Sequence, residues 1–150
     1  MITGIEINMV VPDSIKAMEF YGRIFDVKQV EVSDFGPGRS ETVFTIYGAS
    51  FHLLDENPQF HLIAPKEGDP KPMWINITVP DIAKTYASAL AKGCKEIFPI
   101  TTMEALGLKN AMFSDPFGYG WMLHQIDKVI SHEERMRILR EAARRTDSNS

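Results

Sequence analysis

One cysteine and four histidines are the side chains of this sequence most able to do nucleophilic or acid–base chemistry. Cys94 follows the helix-ending Gly93 and has Lys95 as its only basic neighbour, which favours a buried structural cysteine over an activated thiolate. The chain has no G-x-S-x-G nucleophile elbow and no Walker loop. These patterns therefore do not indicate a hydrolase or a nucleotide-binding enzyme.

The histidines fall into two groups. His61 and His132 lie in a predicted linker and at the start of a predicted tail helix, where side chains are usually solvated. His52 and His124 instead lie inside apolar segments that have the character of β-strands. A histidine on a strand can bind a divalent metal or transfer protons near neutral pH, so these two strands are the first candidates for a site.

Both strands close a unit that the chain uses twice. The letters E-I-N-M-V-V-P-D at 6–13 return as W-I-N-I-T-V-P-D at 74–81, with five of eight positions identical. The closing strands match as well, F-H-L at 51–53 and W-M-L at 121–123. An internal repeat of this kind fixes the architecture before any single element does.

Each copy predicts the same order of elements. Alternating apolar residues indicate an opening strand that ends at Pro12 or Pro80. Asp13 and Asp81 then occupy N-cap positions before amphipathic helices. Three further strands follow in each copy, at about 27–33, 40–47 and 50–55 and at about 95–100, 109–114 and 119–125. The unit is therefore βαβββ.

The predicted organisation is a single α+β domain of two modules, with a proline-rich linker between them and a helical tail that begins at Ser131. Its segments are the first module at 4–56, the linker at 57–72, the second module at 73–127 and the C-terminal helix and tail at 128–150.

The two modules and the segment D-P-F-G-Y-G-W-M-L at 115–123 resemble the vicinal oxygen chelate superfamily, which includes glyoxalase I, bleomycin resistance proteins and extradiol dioxygenases. The segment, with the tail helix, is most similar to the PhnB-like branch. This resemblance implies an open, U-shaped sheet of eight strands with helices on its convex face and a small-molecule cavity on its concave face. It also implies a homodimer.

In metal-dependent members of that superfamily, the first and last strands of each module supply four ligands to one divalent ion. The matching positions here are Glu6, His52, Trp74 and Met122. Glu6 and His52 are suitable ligands, whereas the indole of Trp74 cannot ligate and the thioether of Met122 suits hard ions poorly. His124 could supply a third ligand, since alternation places it on the face of Met122.

Two hypotheses follow. The first is a binding protein without a complete metal site, which holds a small, partly aromatic or amphiphilic molecule in a largely apolar cavity. In this hypothesis Glu6 and His52 pair with each other, and the pair could act in acid–base catalysis. Five further residues line the pocket: Asn8, Trp74, Asn76, Met122 and His124. The alternative is a lyase, isomerase or dioxygenase that depends on one divalent ion at Glu6 and His52.

The net charge and the distribution of apolar residues limit the kinds of partner that we expect for this protein. The formal net charge is −4 and the five arginines of the tail helix are the main basic cluster, which disfavours nucleic acid binding. No apolar run is long enough to span a bilayer, and the N-terminus lacks the pattern of a signal peptide. We therefore expect a cytoplasmic protein that binds neither membranes nor nucleic acid.

Overall fold

The computed structural model describes residues 3–150. It contains eight strands, three α-helices and two short 3₁₀ turns. In chain order the strands and helices are β1 (Glu6–Val11), α1 (Ser14–Gly22), β2 (Val27–Ser33), β3 (Glu41–Ile46), β4 (Ala49–Asp55), β5 (Ile75–Thr78), α2 (Ile82–Ala91), β6 (Lys95–Met103), β7 (Leu108–Ser114), β8 (Gly120–Ile126) and α3 (His132–Ser148). The predicted fold class, two βαβββ modules followed by a C-terminal helix, is confirmed.

The eight strands form two four-stranded sheets. Sheet 1 has the order β1-β4-β3-β2 and sheet 2 the order β5-β8-β7-β6. In each, the first strand runs parallel to the last strand of its module and the other pairs are antiparallel. Within one chain the strands are therefore not hydrogen-bonded into one eight-stranded sheet. One reason is that the free edge of β1 at Val10 is occupied, because its backbone N–H and carbonyl both bond the hydroxyl of Tyr119.

Each sheet has an inner face that packs on the shared core and an outer face that points away from it. The inner faces meet around Trp121 of β8, whose ring lies 6.0 Å from that of Phe51 in β4 and 4.7 Å from that of Phe25. Helices α1 and α2 pack against the inner faces of their own modules. Because successive side chains of a strand point to opposite faces, His52 and Met122 project away from this core on different sheets.

Both helices begin with the same pair of contacts. Asp13 and Asp81 accept hydrogen bonds from the backbone N–H groups of Lys16 and Lys84, each at 3.0 Å, which confirms the two predicted N-caps. The first N–H of each helix donates to a side chain at or next to the end of the last strand of its module. Asp55 bonds the N–H of Ser14 at 2.7 Å, and Gln125 bonds the N–H of Ile82 at 2.9 Å. The repeat thus locks the last strand of each module to its helix.

Helix α3 begins at the predicted N-cap, where Ser131 accepts from the N–H of Glu134. The segment before it is fixed by Gly107, whose carbonyl accepts from the N–H groups of Asp127 and Lys128 at 2.8 and 3.0 Å. Gly107 has a φ of +66°, and a Cβ there would lie 2.4 Å from the carbonyl oxygen of Lys128. The start of α3 therefore depends on a residue without a side chain at this position.

Replacement of Gly107 by alanine is expected to lower the free energy of unfolding by about 2–3 kcal/mol, because the backbone of Lys128 must move. Urea denaturation measures this change. Gly36→Ala is the matched control, since Gly36 also has a positive φ, +88°, but open space around its Cβ position. An equal loss in the two variants would show that backbone strain, and not the contact with Lys128, sets the cost.

Among residues 3–150, no helix has both the length and the hydrophobicity required to cross a membrane.

Candidate functional site

The outer face of sheet 1 carries a cluster of polar side chains, which we call the polar cluster: Glu6, Glu41, Ser50 and His52. The parallel register of β1 and β4 places Glu6 opposite Ser50 and Asn8 opposite His52. Glu6 consequently accepts from the hydroxyl of Ser50 at 3.2 Å and lies 3.1 Å from Nδ1 of His52. The two residues that the sequence singled out for chemistry are in direct contact.

The second nitrogen of His52 faces another carboxylate. Nε2 of His52 lies 3.4 Å from Oε2 of Glu41. Nε2 is buried, however, and has no partner with hydrogen-bond geometry in the described part of the chain. A neutral imidazole donates from one nitrogen only, and both nitrogens donate only in the charged form. Nε2 is therefore the atom of the polar cluster that is free to bind something else.

The outer face of sheet 2 has a different chemistry. The indole N–H of Trp74 donates to the side-chain oxygen of Asn76 at 2.9 Å, and Asn76 lies opposite Met122 in the parallel register. Met112 of β7 also lies opposite Met122. His124 follows on this face, opposite Thr78. The outer face of sheet 2 thus carries mainly polarizable apolar groups and neutral amides, whereas the outer face of sheet 1 carries carboxylates.

A cavity of about 420 Å³ lies between the two sheets, beside the free edge of β1. Asn8 and Met9 line it from β1, and Trp74 and Ile75 from the start of sheet 2. The segment 63–72 covers it, and most of its lining is apolar. Size and lining are those of a small-molecule pocket.

Hydrogen-bonding groups of the backbone reach this cavity from β1. The N–H and carbonyl of Val10 point away from β4, because both bond the hydroxyl of Tyr119 at 3.0 and 2.8 Å. Backbone groups two residues apart in a strand point the same way, so those of Asn8 face the cavity as well. Asp69 and Lys71 are the charged residues of its lining.

The covering segment is held by a close contact with the β7–β8 turn. A Cβ on Gly118 would lie 2.9 Å from Cβ of Pro65, and Gly118 has a φ of +94°. Glycine at this position lets the segment approach the turn and close one side of the cavity.

The predicted site residues therefore divide into groups. Glu6 and His52 contact each other on sheet 1, whereas Trp74, Asn76, Met122 and His124 share the outer face of sheet 2. Trp74 lies one residue before β5, which is shorter than predicted because pairing with β8 begins at Ile75 opposite Trp121. Asn8 and Trp74 meet at the cavity.

The donor set does not make a complete metal site within one chain. Among residues 3–150, no group of three or more His, Cys, Asp or Glu side chains is placed to hold an ion. Glu6 and Glu41 approach opposite nitrogens of the His52 ring, so one ion cannot contact all three residues. Trp74 and Met122 supply no hard ligand on the other sheet.

Sequence reasoning missed Glu41, Ser50 and Tyr119. Ser50 lies two residues before His52 in β4, and Glu41 lies in the adjacent strand β3. Because side chains alternate between the two faces of a strand, period two would have placed both residues on the face of His52. Tyr119 could not be found in this way, because its role is to bond the backbone of the other module.

Asp115, the first residue of the D-P-F-G motif, is buried and bonded by four donors. Its Oδ1 accepts from the N–H groups of Phe117 and Tyr119, each at 2.9 Å, and its Oδ2 from the indole of Trp121 at 2.9 Å and the hydroxyl of Tyr21 at 2.5 Å. Burial raises the pKa of the Asp115 carboxyl, and the four donors oppose this. Burial and the neighbouring carboxyl raise the pKa of Tyr21. These contacts connect α1 of the first module to the strand that bears Met122.

Cys94 is buried, as expected from its sequence context, and burial raises the pKa of its thiol to about 12. A thiol with a high pKa is almost entirely protonated at neutral pH and is a poor nucleophile.

The sequence matches a model of the Glyoxalase/Bleomycin resistance protein/Dioxygenase superfamily over residues 5–123. A comparison with curated proteins found no match.

Solved structures share the fold at low sequence identity. The fosfomycin resistance protein FosX from Listeria monocytogenes, crystallised with Mn(II) and sulfate, is 18% identical, with a TM-score of 0.65 over 93% of this chain and 99% of that one. TioX from Micromonospora sp. ML1 is 15% identical, with a TM-score of 0.62 over 83% and 98%. A superfamily member from Sphaerobacter thermophilus DSM 20745 is 20% identical, with a TM-score of 0.57 over 83% and 98%.

Proposed function

Because this chain belongs to the glyoxalase/bleomycin resistance protein/dioxygenase superfamily, we propose that it binds a small molecule in a largely apolar cavity, without a complete metal site. The observation that carries the proposal is the apolar cavity of about 420 Å³ beside β1. Its few polar groups suit an amphiphilic ligand, with Trp74 for an aromatic or aliphatic part and the ammonium group of Lys71 for an acidic part.

A homodimer is part of this proposal. In one chain the polar cluster and the apolar face around Trp74 and Met122 lie on opposite sides of the shared core. A second copy supplies the missing half when its sheet 2 lies beside sheet 1 of the first. Asn8, Asn76 and His124 then face the ligand together with Met122, and Glu6 and His52 provide polar contacts or acid–base catalysis.

The binding proposal is tested with the amphiphilic probe 1-anilinonaphthalene-8-sulfonate by isothermal titration calorimetry. We expect one probe molecule per chain, and about tenfold weaker binding by Trp74→Ala, since the indole supplies a large apolar contact. Val30→Ala is the matched control, because Val30 is an exposed apolar residue of β2 outside the cavity lining. Equal binding by the two variants, or no saturable binding at all, would contradict the proposal.

One observation favours a second candidate, the metal-dependent enzyme. Nε2 of His52 has no hydrogen-bond partner in residues 3–150 and lies beside Glu41, and a nitrogen in this position can ligate an ion while Glu6 orients the ring through Nδ1. FosX structures contain Mn(II), one of them with 1S,2S-dihydroxypropylphosphonic acid. The reaction class would be a lyase, isomerase or dioxygenase with a substrate bearing adjacent oxygens.

Metal analysis of protein purified without chelators separates the two candidates. We expect less than about 0.1 ion of zinc, iron, manganese or nickel per chain, since two protein ligands are too few for tight binding. Thermal unfolding with added MnCl₂ is then unchanged. Stoichiometric metal that is lost in both Glu6→Gln and His52→Ala would establish the second candidate instead.

Two finer assignments belong to the same proposal. Membership of the PhnB-like branch is supported by the D-P-F-G motif at 115–118 and by the C-terminal helix. A cytoplasmic location without membrane or nucleic acid partners is supported by the single reduced cysteine and the net charge of −4.

A further inference from the structure

The C-terminal helix α3 extends away from the rest of the chain. It buries no side chain, every residue from 139 to 150 is exposed, and its main contact is with the turn Glu104–Leu106. Isolated helices of about this length are only marginally stable in water. The outer part of α3 therefore requires a surface that one chain does not provide.

One face of α3 has the composition of a contact surface. Met136, Leu139, Arg140 and Ala143 follow the spacing i, i+3, i+4 and i+7 and so share a face, and Leu139 is 43% exposed. Elsewhere on the helix Arg137 forms ion pairs with Glu134 and Glu141. Arg137 is the only arginine of α3 that is ion-paired within residues 3–150, so Arg140 carries a charge without a partner there.

Charge is segregated between α3 and the rest of the protein. Residues 135–145 contain five arginines and one glutamate, a net charge of +4. Because the whole chain carries −4, the remainder carries −8. The complementary surface for the exposed part of α3 is thus present on the same molecule.

The outer face of sheet 1 at β2 and β3 provides such a surface. Glu31 lies opposite Val43, and Ser33 lies opposite Glu41, all on this face. The side chain of Glu41 is 46% exposed, and the apolar Val30 is exposed nearby. This surface of carboxylates interspersed with valines is complementary, in charge and in apolar character, to the face of α3 that carries arginine and apolar residues.

We propose that α3 of one chain packs across the β2–β3 part of the outer face of sheet 1 of a second copy. Arg140 then lies between Glu31 and Glu41, with Leu139 and Ala143 against Val43. A helix of 17 residues is about 25 Å long, enough to cross both strands, which are about 5 Å apart. Among residues 3–150, α3 contacts the turn Glu104–Leu106 that precedes β7 of sheet 2 and makes no extensive contact with sheet 1 of its own chain.

This arrangement gives the homodimer proposed above a reciprocal exchange of helices. Each α3 covers the carboxylate that borders Nε2 of His52 in the other copy, so the partner shields the polar cluster from solvent. Since attraction between exposed charges is screened by salt, the dimer is expected to dissociate more readily at high ionic strength.

The test is the dimer dissociation constant of full-length variants, measured by sedimentation velocity. Arg140→Glu is expected to raise it at least about tenfold, because like charges then face each other across the contact. Arg145→Glu makes the same change of charge on the opposite face of α3 and is expected to alter it less than about twofold. Adding Glu31→Lys to Arg140→Glu is expected to recover most of the loss.

The proposal is overturned if Arg140→Glu leaves the dimer unchanged, or if Arg145→Glu weakens it equally. Circular dichroism is compared at a concentration where both variants are monomeric, and a lower helix content there in Arg140→Glu than in Arg145→Glu also overturns it, because the substitution would then act on the helix itself. A wild-type protein that is monomeric at 0.1 mM would overturn it too. The probe titration is independent, so saturable binding of the probe by a monomer would leave the proposed binding in the cavity standing and would reject only the homodimer.

Discussion

Asp115→Ala is expected to lower the free energy of unfolding by about 3–5 kcal/mol. The carboxylate accepts from two backbone N–H groups, the indole of Trp121 and the hydroxyl of Tyr21. Alanine would leave several of these donors buried without a partner, and each costs about 1–3 kcal/mol, less the relief of a buried charge. Equilibrium denaturation in urea, followed by far-ultraviolet circular dichroism, measures the change.

Tyr21→Phe is the matched variant for this prediction. It removes one donor from the same carboxylate and keeps the ring, which packs against Trp121 and Phe117. The expected loss is about 1.5–3 kcal/mol, the value for one hydrogen bond to a charged group. If Asp115→Ala costs no more than Tyr21→Phe, the turn bonds are not what stabilises this junction.

Trp121→Ala is expected to cost about 4–5 kcal/mol and to unfold much of the protein at physiological temperature. Trp121 is 0% exposed and its ring contacts Phe25, Tyr21 and Phe51, so that it fills the space between the two sheets. Truncation of a fully buried tryptophan loses its transfer free energy and leaves a cavity. The unfolding midpoint by differential scanning calorimetry is the measurement.

The other tryptophan provides the control. Trp74 is 51% exposed on the outer face of sheet 2, so Trp74→Ala is expected to cost less than about 1 kcal/mol while it weakens binding of the probe. The two variants thus separate stability from ligand binding. A large loss of stability in Trp74→Ala would show that its indole belongs to the core and would weaken the case for its role in the cavity.

The repeat explains how much of this protein could be predicted. The segments that recur in the sequence depend on local rules of alternation and capping. They are the opening strands with their I-N pair, the V-P-D sequences that end these strands and the capping aspartates. These rules act over a few residues, so both N-caps, the order of the elements and the fold class were predicted correctly.

The candidate site was predictable only within each sheet. The resemblance to the vicinal oxygen chelate superfamily suggested that Glu6 and His52 belong to one site, and the structure places Oε1 of Glu6 3.1 Å from Nδ1 of His52. Glu41 was not identified, because period two in β3 gives its face but not its distance from His52, which depends on the register set by the turn between β3 and β4. The sequence predicted a cavity with Asn8 and Trp74 in its lining, but it left open whether the modules that form the cavity belong to one chain or to two.

Alternation, proline and capping residues act locally, so they were enough to predict the two βαβββ modules and the residue types that each carries on its two faces. How the modules face each other depends instead on contacts between distant parts of the chain. The inner faces meet at Trp121, Asp115 bonds a tyrosine of the other module, and the outer faces therefore point in opposite directions. Such contacts join residues up to 109 positions apart, and they depend on the shapes of packed side chains, which no local pattern records.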